Sequence, residues 1–306
     1  MRALIPTGRP GAPVAFHEIP EPTPGPGEAL VRVDAFSPNR GELFLLNRPP
    51  DGWRPGKDIA GLVVQAAADG SGPRVGRRVV GHPPSGGWAE YAAVPVDRLT
   101  EVPDEMPAVE AAALPLAGLT ALRLIRTAGC VAGQRVLVTG ASGGVGHYLV
   151  ELLAGAGAEV TAVSRRGDRL TALGARTVVP DIAEVAGTFR TAFESVGGTV
   201  TPAVLSRVEP RGTMIWFGQV SREPVTLNFF DFFKGPESGT IRHFHYEHFD
   251  EPVADDLERL VKLVQAGRLH PEVGRTADWS DSNAVLGEMA ARTVRGNAVL
   301  TVGGTG

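Results

Sequence analysis

Residues 135–146 read Arg135-Val-Leu-Val-Thr-Gly-Ala-Ser-Gly-Gly-Val-Gly146, and this stretch decides the fold of the chain. The apolar run 136–138 predicts a buried parallel strand, and residues 147–154 predict a helix behind it. Between them, small residues at 141, 143 and 146 have the spacing of a dinucleotide-binding turn, in which the backbone approaches a pyrophosphate and the helix packs closely on the strand. A second strand, predicted over 160–163, follows at the distance of a βαβ unit. The sequence therefore predicts a dinucleotide site made by Ala141, Ser142, Gly143, Gly144, Val145 and Gly146.

The residues after the second strand indicate which dinucleotide binds. An NAD-binding protein places an acidic side chain there to accept from the ribose hydroxyl, whereas this chain has Ser164, Arg165 and Arg166. Arginine offers a fork of donors that matches a phosphate, and serine adds a hydroxyl donor. We therefore predict NADPH as the cofactor, with these three side chains on its 2′-phosphate. The alternative is a solvated basic helix start, which the helix dipole disfavours.

Composition limits the class of protein. With 306 residues, 43% of them hydrophobic and 21% charged, the chain has ordinary globular composition, and two domains are expected. A net charge of −4 without a basic block argues against a nucleic-acid partner. No apolar run reaches membrane-spanning length, and the first residues, Met1-Arg-Ala-Leu-Ile-Pro6, lack the apolar segment of a secretory signal. We therefore expect a cytoplasmic protein with no membrane partner.

The chain has one cysteine, Cys130. A single thiol excludes a disulfide within the chain and a zinc site made of several thiolates. No histidine lies near Cys130 in sequence, so we predict a buried packing thiol without a catalytic role.

Short apolar runs outline the rest of the chain. The first 115 or so residues are rich in proline, glycine and β-like runs, at 29–33, 59–66, 75–81 and 88–94. Residues 104–124 predict buried helices. Further strands are predicted at 177–179, 190–196, 213–217 and 298–302, and helices at 253–266 and 280–292. The interval between residues 179 and 190 is too short for a full crossover helix. An irregular β domain followed by an α/β domain is the expected arrangement.

Several segments, in this order, carry a family resemblance: 37–42 (Ser-Pro-Asn-Arg-Gly-Glu), 56–63, 87–91, 111–121 and the Gly-rich turn. With them the chain resembles the medium-chain dehydrogenase/reductase superfamily, in its zinc-independent quinone oxidoreductase and enoyl reductase branch. The resemblance implies an α/β fold: a Rossmann doubly wound parallel sheet plus a GroES-like β domain. It assigns 1–115 to a GroES-like substrate domain, 116–250 to a Rossmann NADP-binding domain and 251–306 to a returning segment that completes the substrate domain. It also implies a substrate cleft between the domains and a homodimer.

The resemblance also argues against catalytic zinc. Zinc-dependent relatives carry a Gly-His-Glu run whose histidine binds the metal, and this chain has Gly56-Lys57-Asp58 at that place. An ammonium group cannot bind zinc, and the cysteine ligands of those relatives are missing, so we predict no metal site. The segment 243–248 (His-Phe-His-Tyr-Glu-His) is the other histidine cluster. On a strand His243 and His245 would share a face and His248 would point away, so we favour a role in lining the cleft or the dimer edge.

Three side chains are candidates for the chemistry. Without zinc, hydride must go to an acceptor that is already electrophilic, and the developing enolate oxygen needs hydrogen-bond donors. The resemblance offers Asn39, for which an Asx turn beside Pro38 is the alternative. Lys57 could supply a positive charge in place of the metal, or it is a surface lysine whose stem packs on the cleft rim. Tyr246 is a possible proton donor, and direct protonation by water stays open.

The resemblance implies further cofactor contacts. It places Thr120 near the nicotinamide, Gly218 and Gln219 at the carboxamide, and Asn297 at the point where the tail closes the site. For Gly218 the alternative is a simple turn from strand to loop.

These observations predict an NADPH-dependent oxidoreductase that reduces an activated double bond, as in an enone or enoyl group, or a quinone. Two alternatives stay open: a tailoring reductase or reductive cyclase of a polyketide-like intermediate, and a non-catalytic NADPH-binding protein. A metal-dependent alcohol dehydrogenase is a distant third. The aromatic-rich segment 227–248 suits either a pocket for a flat small-molecule substrate or a dimer interface.

Overall fold

The structure is a computed structural model that describes residues 1–167, 169–249 and 251–303. Its strands are β1 (Arg2–Arg9), β2 (Ala12–Glu18), β3 (Glu28–Phe36), β4 (Ile59–Gln65), β5 (Arg78–Gly81), β6 (Tyr91–Pro95), β7 (Leu99–Glu101), β8 (Arg135–Thr139), β9 (Glu159–Val163), β10 (Thr177–Val179), β11 (Phe189–Glu194), β12 (Val208–Trp216), β13 (Thr240–His243), β14 (Val273–Asp278) and β15 (Asn297–Thr301). Its α-helices are α1 (Arg40–Asn47), α2 (Ala108–Ala112), α3 (Pro115–Ala128), α4 (Gly144–Gly155), α5 (Val200–Leu205), α6 (Val253–Gln265) and α7 (Ser282–Ala290). Short 3₁₀ helices lie at Val96–Arg98, Ile182–Glu184, Phe229–Lys234 and Trp279–Asp281. None of the helices in these ranges is long and apolar enough to cross a membrane.

The chain divides into two compact units. Unit 1 comprises Met1–Leu119 and Asp250–Gly306, and unit 2 comprises Thr120–Phe249. The first boundary lies within α3.

Unit 2 is built on a six-stranded sheet in which every neighbouring pair is parallel. The strand order is β10-β9-β8-β11-β12-β13. Numbered within the unit this is 3-2-1-4-5-6, the order of a doubly wound dinucleotide-binding fold, and it reverses between β8 and β11. The apolar residues of β8 are fully buried, as expected for a central strand with both faces covered. The predicted Rossmann sheet is confirmed.

The helical layer of unit 2 is short. Helix α4 connects β8 to β9, and its apolar face is buried. From β10 to β11 the chain makes only the 3₁₀ helix Ile182–Glu184, so the prediction of a trimmed crossover is confirmed. The core beneath it includes Leu137, Val185, Phe189 and Met214.

Unit 1 is built on a second sheet, ordered β14-β15-β3-β4-β5-β7, with β6 also paired to β3. Its neighbours are antiparallel except β14 and β15. The tail enters this sheet directly, since Leu300 of β15 pairs with Phe36 of β3. Both residues are fully buried, in a core that also contains Ile59, Trp88 and Trp279. The chain therefore has the predicted α/β class, with one parallel sheet and a separate, largely antiparallel one.

Several local predictions differ from the structure. The hairpin of β1 and β2 and the helix α1 are additional elements. The predicted strand 75–81 begins only at Arg78, because Gly76 has a φ of 85° in the turn before it. The predicted helix 280–292 is the 3₁₀ turn Trp279–Asp281 followed by α7.

The prediction for Cys130 is wrong, because this cysteine is exposed. It follows Gly129, whose φ of 76° turns the chain out of α3 into a connecting segment. Connecting segments lie at the surface, where their backbone polar groups can be satisfied.

Candidate functional site

The Gly-rich turn joins β8 to α4. Gly140 has a φ of 62°, which favours glycine, and Gly143 is the N-cap of α4. A β-carbon at position 146 would lie 2.3 Å from the carbonyl oxygen of Gly140 and 2.7 Å from the backbone of Ala141. Only glycine fits there, and the close packing leaves the amides at the start of α4 directed at the space in front of the turn.

The basic segment after β9 lies beside this turn. The Ser164 hydroxyl donates to the Ser142 hydroxyl at 2.7 Å, and the Arg166 amide donates to the Ser164 hydroxyl at 3.1 Å. Arg165 and Arg166 are exposed. The structure therefore brings the residues predicted for the pyrophosphate and those predicted for the 2′-phosphate into one continuous surface of unit 2.

The loop after β11 lies at the same carboxyl edge of the sheet. Its Ser195 carbonyl accepts from the Val220 amide at 3.0 Å, and its Val196 carbonyl accepts from the Ser221 amide at 2.8 Å. These bonds hold the segment that contains Gly218 and Gln219. A β-carbon at Gly218 would lie 3.2 Å from Ser195.

A second polar cluster lies inside unit 1, around Asn39. This residue is buried at the N-cap of α1. Its side-chain nitrogen donates to Asp58 Oδ2 at 2.7 Å and to the Ser37 carbonyl at 3.3 Å. Both amide hydrogens are therefore used. The side-chain oxygen takes part in the capping box with Glu42, so its second lone pair is what Asn39 can offer to a ligand. Acting as a donor to an enolate would require the amide to leave Asp58.

Asp58 is the centre of this cluster. Its carboxylate also accepts from the Leu116 amide, at 3.1 Å and 3.2 Å, and lies 2.9 Å from His82 Nδ1. Asp58 and His82 are both fully buried. A buried carboxylate needs such partners because water does not reach it. Asp58 thus connects the start of β4 and the end of β5 with the starts of α1 and α3.

Glu42 is the second buried carboxylate of unit 1. Its two oxygens accept from the Asn39 amide at 2.9 Å and the Gly56 amide at 2.6 Å. Burial raises the pKa of Glu42 to about 7, against the effect of these two hydrogen bonds. The Asp58 charge raises this pKa further, and the Lys57 charge lowers it. Glu42 therefore holds the backbone beside both predicted catalytic residues of unit 1.

Lys57 lies half-buried on a tightly held turn. The preceding Gly56 has a φ of 119°, and its carbonyl accepts from the Gly87 amide at 3.0 Å. A β-carbon at position 56 would lie 2.3 Å from the amide nitrogens of Gly87 and Trp88. The backbone that carries Lys57 is therefore fixed.

Thr120 and Asn297 are the remaining predicted cofactor contacts, and both are buried. Thr120 lies in α3, in unit 2, and Asn297 begins β15, in unit 1. Asn297 is 6% exposed, and its side-chain nitrogen has no hydrogen-bond partner within the described residues. Leaving such a donor unpaired costs about 1–3 kcal/mol, which a ligand acceptor would recover.

Tyr246 lies beyond the last strand of the Rossmann sheet. Its hydroxyl donates to Glu247 at 2.8 Å, and its carbonyl accepts from Arg123 at 2.6 Å. Strand β13 ends at His243, so the condition under which His243 and His245 would share a strand face is not met. The following turn instead brings the rings of His245 and His248 to 4.8 Å. In the described part of the chain, no group of three or more His, Cys, Asp or Glu could hold a metal ion.

Three phenylalanines of the aromatic-rich segment are exposed on the 3₁₀ helix before β13. Phe229, Phe230 and Phe233 are 70%, 68% and 61% exposed, and their ring centroids are 5.5–6.3 Å apart. Phe232 packs on the core of unit 2. Because apolar clusters of this kind mark contact surfaces, the three rings form a candidate interface.

Sequence reasoning missed Glu42, Asp58 and His82. The spacing of Asn39 and Glu42 is that of a capping box, which this pair forms at the start of α1, and this signal could have identified both the helix and Glu42. No local pattern relates Asp58 to His82, since only the pairing of β4 with β5 brings them together.

Two known families match parts of the chain. Residues 25–104 match the alcohol dehydrogenase GroES-like domain, and residues 136–198 match the NAD dependent epimerase/dehydratase family.

The chain is similar to curated relatives of two kinds, quinone oxidoreductases and a polyketide synthase. The probable quinone oxidoreductase of Schizosaccharomyces pombe is 33% identical over 230 residues, which are 68% of each chain. The chloroplast envelope quinone oxidoreductase homolog of Arabidopsis thaliana is 36% identical over 182 residues, or 53% of this chain, and the chain spans only 55% of that relative's length. Polyketide synthase GfsB of Streptomyces halstedii is 30% identical over 299 residues, which are 90% of this chain and 5% of the synthase.

A solved structure agrees in fold. Mycobacterial Rv1454c, in complex with NADPH, superposes with a TM-score of 0.88 at 25% sequence identity, over 98% of this chain and 100% of that one.

Proposed function

The chain belongs to the quinone oxidoreductase and enoyl reductase branch of the medium-chain dehydrogenase/reductase superfamily, and on this basis we propose that it is an NADPH-dependent reductase. In this proposal it transfers hydride to a small-molecule acceptor, an enone, an enoyl compound or a quinone, without zinc. The observation that carries the proposal is the contact between the Gly-rich turn and the basic segment through Ser142 and Ser164.

NADPH suits the residues of unit 2. The turn at Gly140 packs so closely on α4 that only glycine fits at 146, and the start of α4 directs amides toward a pyrophosphate. Arg165 and Arg166 are proposed to donate to the 2′-phosphate, and the Ser164 hydroxyl to do so in place of its bond to Ser142. Thr120, Gly218 and Gln219 are proposed to hold the nicotinamide end. The solved relative Rv1454c, which is complexed with NADPH, supports this choice of cofactor.

The proposed chemistry assigns a part to each predicted catalytic residue. Bound NADPH supplies the hydride. Lys57 is proposed to stabilise the negative charge that develops on the acceptor oxygen, and Tyr246 to supply a proton. Asn39, whose amide hydrogens bind Asp58 and Ser37, is proposed to orient a ligand through the second lone pair of its side-chain oxygen, the first being used in the capping box with Glu42. Asn297 offers its buried amide hydrogens to a ligand acceptor.

Steady-state oxidation of NADPH tests the proposal. The panel of acceptors runs from simple quinones and short enones to bulky polycyclic enones, with NADH as the control cofactor. We expect turnover with NADPH and much weaker turnover with NADH. Equal use of the two cofactors would overturn the phosphate assignment, and tight binding of NADPH without any turnover would favour a non-catalytic binding protein.

Arginine variants sharpen the cofactor assignment. Each of Arg165→Ala and Arg166→Ala is expected to raise the KM for NADPH about tenfold, because a charge-assisted hydrogen bond to phosphate is lost. The KM for NADH should not change. Arg176→Ala is the matched control, because Arg176 is an exposed arginine of the same unit that pairs with Glu159 at 2.6 Å.

Lys57→Met tests whether Lys57 stabilises the negative charge that develops on the acceptor oxygen. If the ammonium stabilises the developing oxyanion, turnover should fall by about 10²-fold, as when one donor of an oxyanion hole is removed. Unchanged turnover with every acceptor would end this part of the proposal.

A second candidate function is reduction of a polyketide-like intermediate, by a tailoring reductase or reductive cyclase. The match to polyketide synthase GfsB over 90% of this chain favours it. The discriminating measurement is the ratio of kcat/KM for a bulky polycyclic enone to that for a short enone. A ratio well above one supports the tailoring reaction, and a ratio well below one supports a general quinone or enone reductase.

We also propose that the protein is a cytoplasmic homodimer. Strand β13 is the outer strand at one side of the Rossmann sheet, and the exposed phenylalanines precede it in sequence. Light scattering on Phe230→Ser tests this, with Phe44→Ser, another exposed phenylalanine but in unit 1, as the control. A dimer lost only in Phe230→Ser supports the proposal, and a monomeric wild type contradicts it.

A further inference from the structure

Glu194 is a buried carboxylate at the carboxyl edge of the Rossmann sheet, and none of the roles above uses it. It is the last residue of β11 and is fully buried. One oxygen, Oε1, accepts from the Val196 amide at 2.9 Å, the Gly197 amide at 2.6 Å and the Thr201 hydroxyl at 3.2 Å. The other oxygen accepts from the Thr139 hydroxyl. A carboxylate is the side chain that can accept from so many donors at once.

Two of these donors belong to the loop 195–198, which follows Glu194 directly. Gly197 and Gly198 have φ values of 81° and 57°, so this loop takes a backbone shape that is accessible chiefly to glycine. Glycine also loses the most conformational freedom when it is ordered. The hydrogen bonds to Glu194 therefore help to offset the cost of fixing the loop.

The fourth donor connects the loop to the Gly-rich turn. Thr139 is the last residue of β8, and its hydroxyl oxygen also accepts from the Ser195 amide at 3.1 Å. The Ser195 hydroxyl donates to the Thr139 carbonyl at 3.3 Å. A β-carbon at Gly140 would lie 2.7 Å from the Ser195 hydroxyl, so the loop rests directly on the beginning of the turn.

On its other side the loop holds the segment proposed to meet the nicotinamide. The Val220 and Ser221 amides donate to the carbonyls of Ser195 and Val196. A β-carbon at Gly197 would lie 2.4 Å from the side chain of Gln219, so the two segments are in close contact. One buried carboxylate thus fixes the loop that lies between the two proposed parts of the cofactor site.

From this arrangement we propose that Glu194 is a positioning residue for the dinucleotide: it orders the loop 195–198, and through that loop the Gly-rich turn and the Gly218–Gln219 segment, before the cofactor arrives. The inference rests on the proposed NADPH site. Without the carboxylate, binding must itself order the loop, and the entropy lost in ordering a single residue weakens binding by about tenfold.

A matched pair of threonine variants tests the proposal. Thr139→Val and Thr201→Val have the same shape change, and each removes one hydroxyl donor to Glu194. Only Thr139 also accepts from the loop, so Thr139→Val should raise the Kd for NADPH several-fold while Thr201→Val leaves it within twofold. Both are measured without any acceptor, from the fluorescence of NADPH in titration, with the unfolding midpoint in urea recorded for each.

Glu194→Ala and Glu194→Gln complete the experiment. The alanine variant should raise the Kd for NADPH tenfold or more, and glutamine should restore most of the affinity, because its oxygen can still accept from Val196 and Gly197. An equal Kd for Thr139→Val, Thr201→Val and the wild type would overturn the proposal while leaving the NADPH site intact. If Glu194→Ala does not fold, the threonine pair decides. A wild type that does not bind NADPH would instead reject the proposed function.

Discussion

The substitution Gly146→Ala is the sharpest test of the Gly-rich turn, because another glycine of the same helix provides its control. A β-carbon at 146 would lie 2.3 Å from the Gly140 carbonyl oxygen, whereas one at Gly155 meets nothing within 4 Å. Both glycines belong to α4. Alanine is intrinsically favoured over glycine in a helix by up to about 1 kcal/mol, and both variants share this term.

The difference between the two variants therefore isolates the clash. Overpacking costs about 1–3 kcal/mol where neighbours can adjust. Here the neighbours at 2.3 Å and 2.7 Å are backbone atoms of Gly140 and Ala141, which cannot rotate away. We expect Gly146→Ala to be about 3 kcal/mol less stable than Gly155→Ala. Gly155→Ala should be as stable as the wild type or slightly more stable.

Urea unfolding at equilibrium measures the free energies, and titration with NADPH measures the second consequence. Moving α4 away from β8 displaces the amides at its start, so Gly146→Ala should also bind NADPH at least about tenfold more weakly. Gly155→Ala should bind it as the wild type does. Equal unfolding free energies for the two variants would refute the packing argument, and unchanged affinity of Gly146→Ala would refute the role of the turn.

Three further outcomes are expected. The pKa of Glu42 is raised by burial to about 7, above its ordinary 4.5, so the stability it contributes is present below pH 4.5 and is lost as the pH rises through 7. Urea titrations should show the advantage of the wild type over Glu42→Gln falling by about 3 kcal/mol across that window, and an advantage that grows with pH would contradict the burial argument. The pKa of His147 is lowered by burial to about 4, so the stability it contributes is present above pH 6.5 and is lost as the pH falls through 4. In urea titrations, the advantage of the wild type over His147→Gln in unfolding free energy should shrink by about 3 kcal/mol on acidification. An advantage that does not change with pH would contradict the burial argument. Exposed Cys130 should react with an aromatic disulfide reagent in the native protein nearly as fast as in urea, whereas reaction only after unfolding would show that it is buried.

The sequence predicted unit 2 more fully than unit 1, for a physical reason. The strand, turn and helix around Gly146 are adjacent in the chain, so the spacing of small residues alone indicates how they pack. The basic residues after β9, where an NAD-binding protein has an acidic one, are an equally local signal. In unit 1 the polar cluster joins Asn39, Asp58 and His82, which lie far apart in sequence. Their contacts depend on the pairing of β3 with β4 and of β4 with β5, which no local pattern specifies.

Asn39 shows how a residue can be singled out from the sequence while its hydrogen bonds are not. The family resemblance singled out this residue, but which of its polar groups is offered to a ligand depends on partners that only the fold supplies. Asp58 and Ser37 take its amide hydrogens. Cys130 is the converse case, since a buried packing thiol was predicted and the turn at Gly129 directs the chain outward instead.

Glu42 and His147, whose pKa values are shifted by burial, also report on the cooperativity of the fold. Glu42 belongs to unit 1 and His147 to unit 2, and their contributions change with pH in opposite directions. Between pH 4.5 and 6.5 the loss from Glu42 on raising the pH is matched by the gain from His147, each at about 1.4 kcal/mol per pH unit. If both units unfold in one transition, the two pH dependences cancel in the wild type between pH 4.5 and 6.5. In Glu42→Gln or His147→Gln only one of them is left, so the unfolding free energy of each variant changes with pH. If the units unfold separately, the wild type shows two transitions whose midpoints move apart or together with pH, because each transition then carries the slope of its own buried group.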